Sequence, residues 1–587
     1  MPLFKCFSFG ILLGLFFVGM NHPTAAAKPD HRPAAELLPE TVVAYAEISD
    51  LGEVIELIAN HPLRETVEAS PVVETLQSNQ DLQPVFQLVG GFETTMGMPW
   101  MQAIGSLTDR GISIAVDGAT QGAVLLVGCS DEDQLARFQR FLLALTQVGS
   151  GQVEMLKQGT YRGVTAYTVS EDLRMATVGQ WLVMTNQPEL GKAVIDRYFD
   201  NSARSLASDG DFQAAMDAHP HATGRAFVDV DTIRSAGIAE ELYRGKTENI
   251  VAEMLFGGIL SNLKETPYAT ASLDVKMTGV TLSTQTKHDP RWEEGREYFF
   301  GGDNSPTLPP TLSLNQSLLT FRSHRDLSEM WLRAPDLMTD LANEELAQAD
   351  STLTTLFSGL DFGEDVLGAL HPEQRLVVCN TSFEDQQFRP AIELPAFALE
   401  FRMRKPKETR AEFRRVFQSL IGFLNIVGAM NGQPQLDQTI EELDQATLIV
   451  GSYVAPRSGD DLETIPIIYN FSPTLAFDDD RMVISSKSSL ARELLQATPQ
   501  QTDETKGTNT FLSIDANELN RVLQKNRSQL VAQNMLDKGH SPAKAEAEIG
   551  LLFDVVSLFE NASVMLEADD ESLTLTTSVN VKTDVGK

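Results

Sequence analysis

The sequence has 587 residues, of which 42% are hydrophobic and 22% are charged. This length predicts more than one domain, and the composition argues against wholesale disorder, a collagen-like rod and a polytopic membrane protein. The 46 basic and 81 acidic side chains give a formal net charge of −35, so the chain lacks the basic footprint that binding to nucleic acid or anionic lipid requires.

Residues 1–27 have the features of a secretory signal peptide. Lys5 provides a positive charge, residues 7–20 form an uncharged and mostly apolar run, and Ala25 to Ala27 provide the small side chains that a signal peptidase needs. The run is shorter than the roughly 20 residues that cross a bilayer, which favours a cleaved signal over an uncleaved anchor. We expect cleavage after Ala27, export to the periplasm or the extracellular space, and no transmembrane span in the mature chain.

Segments with strand periodicity and helix periodicity alternate along the rest of the chain. Large apolar side chains at every second position predict strands over residues 112–116 and 397–403. Apolar side chains three and four positions apart predict helices that include residues 138–145 and 413–420. Further hairpins are predicted at residues 273–282, 475–484 and 564–581.

Many hairpins with interspersed helices indicate the α+β class. We expect mostly antiparallel sheet with helices packed on one face. Strict alternation of parallel strands and helices is absent from the sequence pattern, and so is a glycine-rich phosphate turn, which argues against a dinucleotide-binding fold.

Five short sequence matches recur in the same order, which predicts a tandem duplication. The matched pairs are residues 41–45 with 317–321, 136–141 with 411–416, 182–186 with 482–486, 227–231 with 511–515, and 280–284 with 573–577. The offset varies from 411 − 136 = 275 to 482 − 182 = 300, as insertions and deletions in loops would produce. We expect two homologous domains, residues 28–289 and 311–587, joined by a proline- and glycine-rich linker at residues 290–310.

The three cysteines are too few for an array of disulfide-framed mini-domains or for a multi-cysteine zinc protein. Removal of the signal peptide leaves Cys129 and Cys379, and each of them ends a short apolar run. An exported protein can oxidise two cysteines to a disulfide. The apolar surroundings favour two separate buried thiols, because free cysteine behaves as a small hydrophobic residue.

The start of the predicted mature chain resembles a known group of proteins. Residues 38–45 read Leu-Pro-Glu-Thr-Val-Val-Ala-Tyr, and His-Pro-Leu-Arg follows at residues 61–64. This pattern resembles the start of exported bacterial proteins that are grouped only as a domain of unknown function. The second copy departs from it, with Leu-Asn-Gln-Ser at residues 314–317. The resemblance implies export and duplication, and it carries no activity, cofactor or site residues.

Sequence motifs for catalysis and metal binding are missing. The chain has no His-Glu-x-x-His, no Gly-x-Ser-x-Gly and no phosphate-binding Gly-x-x-x-x-Gly-Lys-Ser/Thr. The one close histidine pair, His219 and His221, is more typical of a surface loop than of a zinc site. The acidic clusters at residues 361–365, 478–480 and 569–571 lack EF-hand spacing and are more typical of solvated turns. We therefore predict no catalytic, cofactor-binding or metal-binding residues.

These observations favour an exported, non-enzymatic protein that acts as an interaction or structural module. Its partner would be an unidentified protein or a component of the cell envelope. A periplasmic carrier of an apolar, lipid-like ligand is the alternative, because a curved antiparallel sheet capped by helices can enclose such a ligand. A hydrolase without a recognisable motif is a third hypothesis.

Overall fold

The computed structural model describes the residues 32–68, 73, 82–150, 157–170, 172–200, 204–243, 245–293, 295–301, 307–383, 390–443, 445–454, 466–499 and 507–583. The predicted signal peptide lies outside these residues. The chain divides into two compact units, of which unit 1 comprises residues up to Asp229, Thr270–Val280 and the residues from Val581, and unit 2 comprises Val230–Ala269 and Thr281–Asn580. The predicted domain bounds 28–289 and 311–587, and the linker 290–310, stay a prediction.

Unit 1 contains helices and an antiparallel sheet. Its strands are β1 (Val42–Ile48), β2 (Ile112–Asp117), β3 (Gly122–Gly128), β4 (Gln158–Tyr161), β5 (Val164–Ser170), β6 (Leu173–Val178), β7 (Trp181–Thr185) and β8 (Gly224–Asp229). Its helices are α1 (Ala34–Leu37), α2 (Leu51–Ala59), α3 (Arg64–Glu68), α4 (Gln83–Met96), α5 (Trp100–Leu107), α6 (Glu132–Ser150), α7 (Pro188–Phe199) and α8 (Gly210–Asp217). The strands β9 (Tyr268–Lys276) and β10 (Gly279–Lys287) contain residues of both units.

Unit 2 has the same kinds of elements. Its strands are β11 (Ser317–His324), β12 (Leu370–Cys379), β13 (Ala396–Met403), β14 (Leu436–Glu442), β15 (Ala446–Tyr453), β16 (Thr474–Asp478), β17 (Arg481–Ser485), β18 (Thr508–Asp515) and β19 (Phe559–Ala568), and β20 (Ser572–Val581) belongs to it up to Asn580. Its helices are α9 (Val230–Ser235), α10 (Glu240–Tyr243), α11 (Ile250–Glu265), α12 (Glu297–Phe300), α13 (Leu327–Leu332), α14 (Ala334–Leu337), α15 (Asp340–Leu356), α16 (Pro406–Met430), α17 (Ser488–Gln496), α18 (Ala516–Lys525), α19 (Arg527–Lys538) and α20 (Pro542–Ser557).

The strands of each unit pair antiparallel in a defined order. In unit 1 the order is β4-β5-β6-β7-β3-β2-β1-β8. In unit 2 it is β14-β15-β16-β17-β13-β12-β11-β18-β19. These pairings confirm the prediction of an α+β protein with a large, mostly antiparallel sheet.

Helices cover both faces of the sheet in unit 2. Phe417 and Ile421 of α16 pack against one face, in a cluster that includes Ile449 of β15. Leu490 and Leu494 of α17 pack against the other face, in a cluster that includes Leu448. The prediction that helices lie on one face is therefore wrong here. Consecutive apolar residues in β15 point to opposite faces, and both faces are buried.

Cys129 and Cys379 are both free and buried, as the sequence predicts. Burial raises the pKa of Cys129 to about 11 and that of Cys379 to about 12. At neutral pH both side chains are therefore neutral thiols, which are poor nucleophiles.

A buried polar cluster in unit 2 includes residues of the predicted linker. The Glu253 carboxylate on α11 is fully buried and pairs with the Arg296 guanidinium, with 2.7 Å between Nε and Oε1. The hydroxyls of Thr247 and Tyr298 also donate to this carboxylate. Tyr298 and its neighbours Phe299 and Phe300 in α12 are at most 1% exposed, so this part of the 290–310 segment belongs to a packed core.

Candidate functional site

The candidate site is a cavity of about 260 Å³ in unit 1. It lies between the sheet strands β4 to β7 and the helix α7, and it is partly open to solvent. Ala166, Ala176 and Val183 form its apolar floor, while Gly191 and Ile195 of α7 line the opposite side. The volume is close to the lower end of the range of about 300–1,000 Å³ that small-molecule sites occupy.

Small side chains at one level of the sheet leave this space unfilled. Val183, Ala176, Ala166 and Gly159 lie opposite one another in register across β7, β6, β5 and β4. In antiparallel sheets, residues that pair in this way project from the same face. The side chains along this row become smaller toward the edge strand β4. At that end, none of them is large enough to fill the space below α7.

The β4–β5 hairpin is attached to α7 and borders the cavity. Its turn residues Arg162 and Gly163 have φ values of 50° and 85°, the left-handed geometry of a tight hairpin turn. The Tyr161 hydroxyl donates to the Asp196 carboxylate at 3.0 Å. The Arg162 guanidinium pairs with Asp196 at 3.0 Å and with Asp200 at 2.6 Å. The hydrogen bond from Arg162 lowers the pKa of Asp200, and the hydrogen bond to Asp196 raises the pKa of Tyr161.

Two cations line the cavity, Arg174 on β6 and Lys192 on α7. The Lys192 ammonium lies 2.7 Å from Glu189, and this hydrogen bond raises its pKa. The other polar lining groups are the hydroxyls of Tyr161 and of threonines such as Thr168. The described lining contains no histidine, cysteine or carboxylate. The arrangement is suited to holding an apolar molecule beside a positive charge.

The corresponding part of unit 2 is filled with side chains. There the row in register across β17, β16, β15 and β14 is Val483, Ala476, Leu448 and Glu441. Leu448 is fully buried and packs with Leu490, Ala491 and Leu494 of α17. The first two positions of the row are thus identical in both units, and the last two carry much larger side chains in unit 2.

Most residues of the two helical stripes predicted from the sequence pack in core clusters on the opposite sheet face, whereas Leu420 is 45% exposed. Phe138 and Phe141 of α6 pack against Phe92, with ring centroids 6.0 and 5.4 Å apart. Phe413 of α16 packs against the cluster that contains Phe417. Sequence reasoning missed the cavity, because its lining comes from residues that become neighbours only through strand pairing. The available signal was the pair of small residues, Ala166 and Gly159, where unit 2 has large residues at the corresponding register positions.

The other sequence candidates do not join this site. His219 lies in the turn after α8. Among the acidic clusters, Asp361 and Asp569 accept hydrogen bonds from nearby backbone amides, and Asp480 pairs with Arg402. Within the described residues, no three histidine, cysteine or acidic side chains come together in a way that could hold a metal ion. Also within these residues, no helix has both the length and the apolar character needed to cross a membrane.

Comparison with known proteins finds no match in sequence and only weak similarity in structure. No family model matches the sequence, and no curated protein matches it. Two crystal forms of TP0453 are similar in part. Form I has 9% sequence identity and a TM-score of 0.24, and the match covers 45% of this chain and 81% of that chain. Form III has 10% identity and a TM-score of 0.24, with coverage of 49% and 91%. These values are too low to support an inference about function.

Proposed function

We propose that this chain is an exported, non-enzymatic binding protein built from two homologous domains in tandem, and that unit 1 binds a small apolar ligand. The cavity between α7 and the sheet carries this proposal. It is apolar at its floor and has cations at its edge, which is how small-molecule sites combine burial with a few orienting polar groups. Export is an expectation from residues 1–27.

Several observations support the duplication. The strand order of unit 1 recurs in unit 2, with β1 to β8 corresponding to β11 to β18. The matched sequence segments include the corresponding strands β7 and β17, and also β8 and β18. The identical pairs Val183 with Val483 and Ala176 with Ala476 occupy the same register positions. A shared ancestor accounts for all of these correspondences.

Filling the cavity is expected to weaken ligand binding. We expect Ala166→Leu, which introduces the residue found at the equivalent position in unit 2, to weaken the binding of an apolar ligand at least tenfold, because the new side chain occupies the ligand's space. Native mass spectrometry of protein purified without detergent measures a co-purified ligand, and calorimetric titration with octanoate measures added ligand. The matched control is Leu399→Ile on β13, which changes a half-exposed apolar residue outside the cavity. Equal octanoate affinity in Ala166→Leu and the unmodified protein would contradict the proposal.

An exposed apolar surface on α16 favours the interaction role as a second function. Phe423, Ile426 and Met430 are 60%, 65% and 82% exposed, and Leu420 is also exposed. Residues 416–436 contain no charged side chain, whereas the preceding turns of α16 are rich in lysine and arginine. Contiguous exposed apolar surface of this kind marks interaction sites. The partner that fits is a protein with an apolar contact surface flanked by acidic side chains.

Site-specific crosslinking tests this second function. A photo-reactive amino acid at Met430 is expected to form an adduct with one defined protein in the producing cells, because this position projects from the α16 surface. The control position is Leu536 on α19, which is 81% exposed. A yield at Met430 no higher than that at Leu536 would argue against docking at α16.

A further inference from the structure

We propose that the ligand of the unit 1 cavity is a small apolar acid, and that its anionic group lies where unit 2 places the carboxylate of Glu441. This inference rests on the proposed function and specifies the ligand's chemistry. It follows from a comparison of equivalent positions in the two units. In unit 2 the chain's own side chains fill the space between the helix and the sheet, and they show which chemical groups fit there.

The strand registers identify the equivalent of Glu441. Glu441 pairs with Leu448, which pairs with Ala476, which in turn pairs with Val483. In unit 1 the same path from Val183 through Ala176 and Ala166 ends at Gly159. A side chain built on Gly159 would meet no atom within 4 Å at its Cβ position, so the space beside this glycine is open.

The helix above the sheet supplies the cation in both units. Leu490 of α17 and Leu190 of α7 are buried at the start of their helices, and two positions later follow Arg492 and Lys192. Arg492 pairs with Glu441, with 2.5 Å between Nη2 and Oε2. Lys192 has no such carboxylate from β4, because the equivalent residue is Gly159. Its partner Glu189 lies on its own helix, and the Lys192 and Glu189 side chains are 43% and 71% exposed, which makes their ion pair weak.

A second cation strengthens the preference for an anion. Arg174 pairs with Thr168 and Thr185 in the neighbouring row, and the equivalent residue of unit 2 is Thr474. In unit 2 the cation at this place, Arg492, pairs with a carboxylate of the sheet, whereas in unit 1 the described lining of the cavity includes two cations and no carboxylate. Cationic lining groups form charge-assisted hydrogen bonds with an anion, so this lining favours a negatively charged ligand group.

The rest of the cavity defines the apolar part of the ligand. Ala166, Ala176, Val183 and Ile195 provide a surface that favours hydrocarbon over polar groups. The limited volume restricts the enclosed part to a short aliphatic chain or a single ring. A carboxylate on such a body would pair with Lys192 while the apolar part displaces water from the floor.

Octanoate and octanol have the same chain length and differ in charge, so comparing their affinities separates the contribution of the acid group from that of the apolar chain. We expect the full mature chain to bind octanoate at least tenfold more tightly than octanol in calorimetric titrations, and we expect higher salt to weaken only octanoate. Lys192→Met is expected to remove this preference with little change in octanol binding. Gly159→Glu is expected to lower the affinity for octanoate at least tenfold, because it supplies the carboxylate that unit 2 has at this position. Gly159→Gln, which has the same size without the charge, is the control and is expected to block less.

The outcomes distinguish the two levels of the proposal. If octanol binds as tightly as octanoate, and Lys192→Met changes neither affinity, the acid inference is wrong while binding of an apolar ligand still stands. If neither probe binds to the unmodified chain or to Lys192→Met, the proposed function is also wrong. Circular dichroism of each variant verifies that the substitutions leave the fold intact.

Discussion

Replacing Glu253 by alanine is expected to lower the free energy of unfolding of unit 2 by about 3–5 kcal/mol. The carboxylate is fully buried and accepts hydrogen bonds from Arg296, Thr247 and Tyr298. Its removal leaves the Arg296 guanidinium buried without its counter-ion, and an unpaired buried charge is far more costly than the pair is stabilising. Urea unfolding followed by amide hydrogen exchange in peptides from α11 measures this loss in the intact chain.

An exposed ion pair in the same unit is the control for Glu253. Arg527 and Glu546 pair at 2.6 Å with side chains that are 39% and 51% exposed. Glu546→Ala is expected to cost less than about 1 kcal/mol, because water solvates both groups when the pair is broken. Where Glu253→Ala does not accumulate as folded protein, Tyr298→Phe removes one hydrogen bond from the cluster and is expected to cost about 1 kcal/mol. Equal effects of Glu253→Ala and Glu546→Ala would show that the cluster does not stabilise the unit.

Replacing Leu448 by alanine is expected to destabilise unit 2 by about 2–5 kcal/mol. Leu448 is fully buried between β15 and α17, and its neighbours Leu490 and Ala491 are fixed by the helix, so the vacated space does not close. The change gives unit 2 the side chain that unit 1 has at Ala166. Urea unfolding of the intact chain, with hydrogen exchange in α17 as the local readout, measures the effect.

The matched control for Leu448 is a leucine that loses no packing. Leu536 on α19 is 81% exposed, and alanine is at least as good a helix former as leucine. Leu536→Ala is therefore expected to change the stability by less than about 0.5 kcal/mol. A cost below this value for Leu448→Ala would mean that the side chain is not part of a close-packed core, and the contrast between the two units would lose its basis.

The local sequence pattern predicts many of the elements correctly. The alternation over residues 397–403 corresponds to β13 (Ala396–Met403). The hairpin at residues 475–484 corresponds to β16 and β17, and the apolar stripe from residue 413 to residue 420 lies within α16. These elements were predictable because each one is specified by the periodicity of its own residues.

The features that the sequence does not predict depend on contacts between segments that are distant in the chain. A run such as residues 448–450 is apolar at successive positions, so periodicity alone does not say that helices cover both faces of its strand. The cavity could not be predicted, since Gly159 and Gly191 become neighbours only when β4 and α7 meet over the sheet. Likewise, no local pattern indicates that Arg296 and Tyr298 meet Glu253, which lies more than 40 residues earlier in the chain.

If unit 1 binds the proposed ligand, the open space beside Gly159 also determines how that ligand changes the thermal stability of the unit. Without a ligand, unit 1 lacks the packing of Leu448 and the Coulomb attraction between Arg492 and Glu441 that stabilise unit 2. A molecule that restores both contacts would raise the melting temperature of this half of the protein in proportion to the logarithm of its concentration. Unit 2 already has both contacts, so its melting temperature would stay the same. It would therefore serve as an internal reference for ligand saturation of unit 1.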